Sequence, residues 1–247
     1  MRIIISPAKK MRVDNDGLEA TGLPVFLDEA EKIKALLQTL SKEELKELYR
    51  SNENIASLNY DRLQETDLKK NLTPALFAYE GIQYQYMAPQ IFEEAQLDYV
   101  QEHLRILSGL YGILHPLDGV VPYRLEMQAK LRINSCKNLY EFWGGRIAEH
   151  LAQETDCIVN LASLEYSKIV SKHLPKDFRF ITCVFGERTK DRIVEKGTMC
   201  KMARGRMVRF MAVNAITEPK HLKDFDSDYA YSEEDSDAST YVFVKKE

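Results

Sequence analysis

Cysteine is scarce and scattered in this chain. Its four cysteines, Cys136, Cys157, Cys183 and Cys200, include no C-x-x-C pair, so no thioredoxin-like redox motif and no zinc ribbon is written in the sequence. Reduced thiols, buried or idle, fit that spacing better than disulfides. The five histidines form no H-E-x-x-H or H-x-x-x-H pair, and a zinc site would have to gather its ligands from remote positions. No metal and no cofactor is expected. Long apolar runs are missing too. The longest, such as Leu104 to Leu114, are short or carry an arginine, and none approaches the ~18–20 residues of a membrane span. The opening Met1-Arg2-Ile3-Ile4-Ile5 meets Pro7 before it reaches the length of a signal-peptide core. The expectation is a cytoplasmic protein with no membrane partner. Positive charge is not in excess: 34 Lys and Arg against 38 Asp and Glu leave a net charge of −4. No global field favours nucleic acid, so any polyanion site must be a local patch. No G-x-S-x-G, Walker A or G-x-G-x-x-G segment occurs, which gives serine-hydrolase and nucleotide-fold readings no support.

What is present is an ordinary globular composition, 45% apolar and 29% charged over 247 residues. That length allows one large domain or two small ones. No linker, low-complexity tract or repeat divides it, so one domain over 1–247 is expected. Residues 2–5 read as a buried first strand stopped by Ser6-Pro7. Ala30, Ile33, Leu36, Leu37 and Leu40 give 26–40 a helical period. Ser41 with Glu44 forms a capping box for a helix to about Arg50, and Ser51 or Asn52 starts another. Residues 41–64 thus read as a helical hairpin. Thr73-Pro74 reads as an N-cap with proline at the first helical position. Strands are expected at Ile106-Leu107, 157–160, 178–185 and 241–244, with a strand or extended segment at 123–131. Residues 191–197 read as a strand or turn. Helices are expected at 138–152, 162–173 and 198–216. Strands and helices intersperse without a clean β-α-β repeat, so the fold class is read as α+β.

Charge is uneven. Residues 188–209 hold eight Lys and Arg against Asp191 and Glu195, whereas 224–239 hold seven acids and no base. The two blocks either neutralise each other or polarise the surface. Within the basic block, helical spacing puts Ala203, Met207, Phe210 and Met211 on one arc and Lys201, Arg204, Arg206 and Arg209 on the other. Arginine forks match phosphate oxygens two at a time. Gly205 among them would let a ligand approach the backbone, or serves packing. Lys9 and Lys10 follow the first strand, where clefts commonly open. Lys9 reads as a phosphate point charge or, with a depressed pKa, a nucleophile. Arg124 and Glu126 alternate with Leu125 and Met127, so they share a face, as a structural ion pair or as an orienting pair beside an anion. Ser163 opens a helix whose free N–H groups suit an anion, or it merely caps that helix. Glu165, Tyr166 and Lys168 follow on the same helix. Glu126, Glu165 and Tyr166 are the candidates for acid–base or orienting roles, and no catalytic residue is assigned.

Several segments together are family-specific. They are Ser6-Pro7-Ala8-Lys9, Arg105-Ile106-Leu107-Ser108-Gly109-Leu110-Tyr111-Gly112, Pro116-Leu117-Asp118, Tyr123-Arg124-Leu125-Glu126-Met127, Leu139-Tyr140-x-Phe142-Trp143, Asn160-Leu161-Ala162-Ser163, Glu165-Tyr166 and Ala203-Arg204-Gly205. In this order they resemble the YaaA family of peroxide-stress proteins. The resemblance implies resistance to hydrogen peroxide through limited intracellular free iron. It also implies binding of double-stranded DNA, which through phosphate neutralisation should be mostly sequence-independent, and a mixed fold called the cantaloupe fold, with a positively charged cleft and a helix-hairpin-helix element. The implied cleft residues are Lys9, Arg124, Lys168, Lys201, Arg204 and Arg209, and the implied hairpin is 41–64. The chain departs from the family at Ile82-Gln83, where many members carry Asp-Val, and at His115, where arginine is frequent. Its hairpin turn has Ser51-Asn52 in place of glycine, and 41–65 holds four cations against six acids. The alternative expectation, from the residues alone, is an enzyme acting on a small phosphorylated or nucleotide-like ligand in the same cleft.

Overall fold

A computed structural model describes residues 1–14, 17–190 and 192–246. Its centre is a sheet of eight strands: β1 (Arg2–Ile5), β2 (Leu104–Ser108), β3 (Gly112–Leu114), β4 (Cys157–Leu161), β5 (Arg179–Thr189), β6 (Arg192–Val194), β7 (Tyr229–Tyr231) and β8 (Thr240–Lys245). The strand order is β7-β8-β5-β4-β1-β2-β3, with β6 paired to β5. The four central pairings, β2 with β1, β1 with β4, β4 with β5 and β5 with β8, are parallel. The pairs β2–β3, β7–β8 and β5–β6 are antiparallel. The α+β reading is therefore corrected to a mixed α/β fold with a mostly parallel sheet. Its parallel neighbours β1 and β2 are separated by a long helical stretch, so no compact β-α-β unit shows in the sequence. Ile3, Ile4 and Ile5 are fully buried, as parallel strands covered on both faces require.

Helices α1 (Leu27–Gln38), α2 (Lys42–Tyr49) and α3 (Glu53–Glu65) follow the expected periodicity. The Ser41 hydroxyl accepts from Glu44 N, and the Glu44 carboxylate accepts from Ser41 N at 2.8 Å. Asn52, not Ser51, caps α3 by accepting from Ile55 N at 3.0 Å. Helix α4 (Ile82–Met87) packs closely against the long helix α9 (Gly197–Val213), and α5 (Glu94–His103) lies on β1 and β2. Residues expected as one helix over 138–152 form two, α6 (Leu139–Trp143) and α7 (Arg146–Glu154). The break falls at Gly144, whose φ of +51° no helix interior adopts. Helix α8 (Leu164–Ser171) follows β4.

Two further expectations change. Thr73-Pro74 pairs as a short extended segment with Gly119-Val120, and the four-residue helical turn Ala75–Ala78 begins after the proline. The Thr73 hydroxyl accepts from Asp14 N at 3.0 Å and does not cap that turn. Residues 121–126 are extended but pair with no strand, and Leu125 and Met127 are buried. Asp191, expected within a strand or turn, lies outside the described residues. The four cysteines are unpaired, three of them buried. Among the described residues no helix is long and apolar enough to cross a membrane.

Candidate functional site

Ile5 and Leu161, the last residues of β1 and β4, stand side by side in register. The order of strands reverses between them: β2 and β3 lie on one side of β1, and β4 and β5 on the other. In open α/β sheets such a reversal leaves a crevice beyond the strands' carboxyl ends. A cavity of about 360 Å³ occupies it. Its wall comprises Ser6, Lys9 and Lys10 after β1, the segment Glu80 to Tyr84, and the extended Tyr123 to Glu126. Ser163, Glu165 and Tyr166 at the start of α8, with Lys201 and Arg204 of α9, complete it.

The strand ends are tied by hydroxyl groups. Ser163 N donates to Ser6 Oγ at 2.9 Å, and the two serine hydroxyls lie 3.2 Å apart. Tyr84 Oη donates to the Ser6 carbonyl at 3.0 Å. Behind the wall, Tyr123 Oη sits 2.8 Å from Tyr79 Oη and 2.7 Å from Ser108 Oγ. Burial pushes the Tyr123 phenol up to about 12 and raises those of Tyr79, Tyr84 and Tyr166 well above their ordinary value. These groups stay protonated at neutral pH. Tyr79, Tyr84 and Tyr123 orient their neighbours by hydrogen bonds.

Five cations line the cavity, Lys9, Lys10, Arg124, Lys201 and Arg204, against three carboxylates, Glu80, Glu126 and Glu165. Lys9 Nζ lies 2.8 Å from Glu126, Lys10 Nζ 2.7 Å from Glu80, and an Arg124 Nη 3.8 Å from Glu126. Arg204 reaches Glu195 at 3.4 Å. The Nε groups of Arg124 and Arg204 are both buried and have no hydrogen-bond partner. Buried guanidinium donors without partners are rare and costly. Glu165 is raised above the usual carboxylate range, first by burial and then by nearby Glu126, although Gln128 N donates to it at 3.3 Å.

Of the residues singled out in the sequence, Lys9, Lys10, Arg124, Glu126, Ser163, Glu165, Tyr166, Lys201 and Arg204 come together on this wall. Lys168, Arg206 and Arg209 lie off it. Lys168 Nζ sits 4.0 Å over the Tyr140 ring. Arg206 pairs with Asp228 and stacks 5.0 Å from the Tyr86 ring. Lys201 and Arg204 fall about 60° apart around α9, while Arg206 and Arg209 turn away on the other side. Gly205 serves packing: a Cβ there would lie 2.2 Å from the Gln83 carbonyl oxygen. Ser163 makes no side-chain cap; its partner is Ser6. Gln83 and Tyr84 carried no signal in the sequence beyond their place in a family-divergent segment. Gln83 Nε2 donates to the Leu161 carbonyl at 3.3 Å and closes the floor of the cavity.

A family model described as peroxide stress protein YaaA matches residues 1–235. The chain belongs to the YaaA family. It is 53% identical over 246 residues to a UPF0246 protein of Desulfitobacterium hafniense, covering 99% of this chain and 98% of that one. UPF0246 proteins of Lachnoclostridium phytofermentans and Pediococcus pentosaceus are each 51% identical over 248 residues, covering 100% of this chain and 97% and 99% of their own lengths. As a YaaA-family member the chain is placed with the peroxide-stress response by the family description.

Proposed function

We propose that this YaaA-family chain serves the peroxide-stress response in the cytoplasm by holding a small phosphorylated or nucleotide-like anion in the cleft between β1 and β4. The observation that carries the reading is the convergence of the Arg124 and Arg204 guanidinium groups, from two different elements, on one cavity wall. A phosphate group satisfies such donors two at a time. The cavity volume of about 360 Å³ sits at the lower end of the ~300–1,000 Å³ usual for small-molecule sites. The presence of Glu126 and Glu165 beside the cations supports a ligand with donor groups as well as negative charge. It also supplies proton-handling groups for an enzymatic step. Calorimetric titration with a nucleoside monophosphate tests the reading. Saturable binding that falls at least tenfold in Arg124→Ala and in Arg204→Ala is expected. Equal affinity in all three proteins would overturn it.

A second reading, duplex DNA binding with a lowered free-iron level as its cellular outcome, is favoured by a different observation. Lys190, Arg192, Lys201 and Arg209 have no carboxylate partner among the described residues. On this reading the cantaloupe fold and the helix-hairpin-helix role of residues 41–64 apply, with α2 and α3 as the hairpin. The acidic balance of that hairpin limits its phosphate contacts to backbone amides at the start of α3. Filter binding of a short duplex discriminates the two: Lys201→Ala with Arg209→Ala weakens duplex binding only if DNA is the ligand.

A further inference from the structure

The opposite end of β1 carries a second constellation. His115 follows β3, while His150 and Glu154 lie four residues apart on one face of α7. His150 Nε2 lies 2.9 Å from Glu154 Oε1, and His115 Nε2 lies 3.7 Å from the same oxygen. The three donor atoms all lie within 4.8 Å of one another. Two donors that share one ion at ~2.0–2.2 Å each stand about 2.8–3.7 Å apart, depending on the angle between them.

The second carboxylate oxygen is already committed. Glu154 Oε2 accepts from Arg2 Nε at 2.8 Å and from Arg105 Nε at 2.9 Å, and Arg105 Nη2 lies 2.7 Å from it as an ion pair. These two arginines hold the carboxylate in place and leave Oε1 to the imidazoles. Arg2 is further balanced by Glu102 at 2.8 Å. Asp118 accepts from His115 N at 2.8 Å and fixes the loop that carries that imidazole. The Phe26 ring meets the His150 ring edge-on at 5.7 Å and sets its plane. His150 Nε2 is buried and, although close to Oε1, has no aligned hydrogen-bond partner. The side chains of His115, His150 and Glu154 remain 31%, 22% and 15% exposed, so the cluster lies close to the surface.

We propose that His115, His150 and Glu154 bind one divalent transition ion of the borderline class that takes imidazole nitrogen with carboxylate oxygen, such as zinc or cobalt. Two nitrogens and one oxygen select against calcium and magnesium, which take oxygen. Three protein donors leave positions for water, as in open metal sites. The site lies at the amino-terminal end of β1, beyond which Arg2 points, and the anion cleft lies past Ser6 at the other end. It is thus independent of the cleft reading. Its ligands come from two elements far apart in sequence, so a search for histidine pairs at short spacing passes over them. The expectation of no metal is replaced by this proposal.

The test uses the full chain stripped with a chelator and titrated with Co²⁺, followed by visible absorption, and with Zn²⁺ by calorimetry. One ion per chain is expected. His115→Gln and His150→Gln should each weaken uptake more than ~10-fold, since losing even a supporting group around a bound metal costs that much. Zn²⁺ should raise the melting temperature of the parent and not of the variants. Mg²⁺ and Ca²⁺ should give no saturable signal. The proposal is overturned if the parent takes up no stoichiometric Co²⁺ or Zn²⁺, or if folded variants, judged by their metal-free melting curves, bind as the parent does. If a Gln variant does not fold, the charge-neutral His115→Asn and the parent's own titration decide between the same two results.

Discussion

Glu165 is the residue whose ionisation most directly sets what the cleft can hold. Its carboxyl is raised above the ordinary range because burial penalises the charged form, and Glu126 adds to the effect. As pH falls toward that raised value, Glu165 becomes neutral and the cavity loses one negative charge. Binding of an anion whose own charge is constant must then tighten. Inorganic sulfate is such a probe. Its affinity is expected to rise on the order of tenfold, about 1.4 kcal/mol, as pH is lowered through the weakly acidic range. In Glu165→Gln the affinity starts high and the rise disappears. A pH-independent affinity in the parent would show that Glu165 does not face the anion. Arg124 belongs to the same scale. Its side chain is only 14% exposed and its Nη group shares Glu126 with Lys9. Arg124→Lys keeps the charge but loses the planar fork, so it should behave more like Arg124→Ala than like the parent.

At the scale of elements, α9 and α4 form the joint that places Lys201 and Arg204 opposite Gln83 and Tyr84. The close approach depends on Gly205. Gly205→Ala forces apart two backbones that would otherwise come within 2.2 Å of the new Cβ, and overpacking of this kind costs about 1–3 kcal/mol. Urea denaturation should show that loss, and the small-anion affinity should drop with it because the wall separates. Ser41→Ala, by contrast, removes one arm of the capping box and should cost about 1 kcal/mol with no effect on the cleft. What was legible in the sequence divides along the same line. Helices α1 to α3 were readable because capping residues and apolar periodicity are local signals. The first strand was readable because three consecutive isoleucines need burial on both faces. The break between α6 and α7 was not read, since Gly144 marks it by its φ and not by periodicity. The parallel sheet was hidden because its strands β1 and β2 are joined through nearly the whole amino-terminal helical layer, so no local pattern announces their pairing.

For the whole molecule the decisive question is how charge is apportioned. The sequence showed a basic block and an acidic block, but not which members would meet. Three-dimensional pairing sends Arg188 to Glu234 and Asp235, Arg206 to Asp228, and Lys196 to Glu187. Arg204 turns into the cleft with Glu195 at its edge. Most of the cleft residues were recognisable because charged residues next to strand ends and on helix faces are visible one segment at a time. The Arg124–Glu126 pair was visible in the same way, but Glu80 and Glu195, the partners of Lys10 and Arg204, were not, since they come from segments with no motif. This apportionment bounds the contact that the basic block can make with DNA. If a duplex binds through the basic block 188–209 alone, the cations of that block with no ion pair among the described residues are Lys190, Arg192, Lys201 and Arg209. Each neutralised phosphate contributes ~0.9 to the slope of log affinity against log salt, so the slope should be no steeper than about −3.6. A filter-binding series from low to moderate salt measures it. A steeper slope would mean either that unpaired cations outside the block, such as Lys168, also meet the duplex, or that the acidic block releases Arg188 and Arg206 when DNA arrives. In the second case Asp228→Asn with Glu234→Gln should raise duplex affinity by lowering the cost of that release. A slope within the bound, with competition by sulfate confined to the small-anion site, would assign the duplex to the rim and the cleft to a smaller ligand.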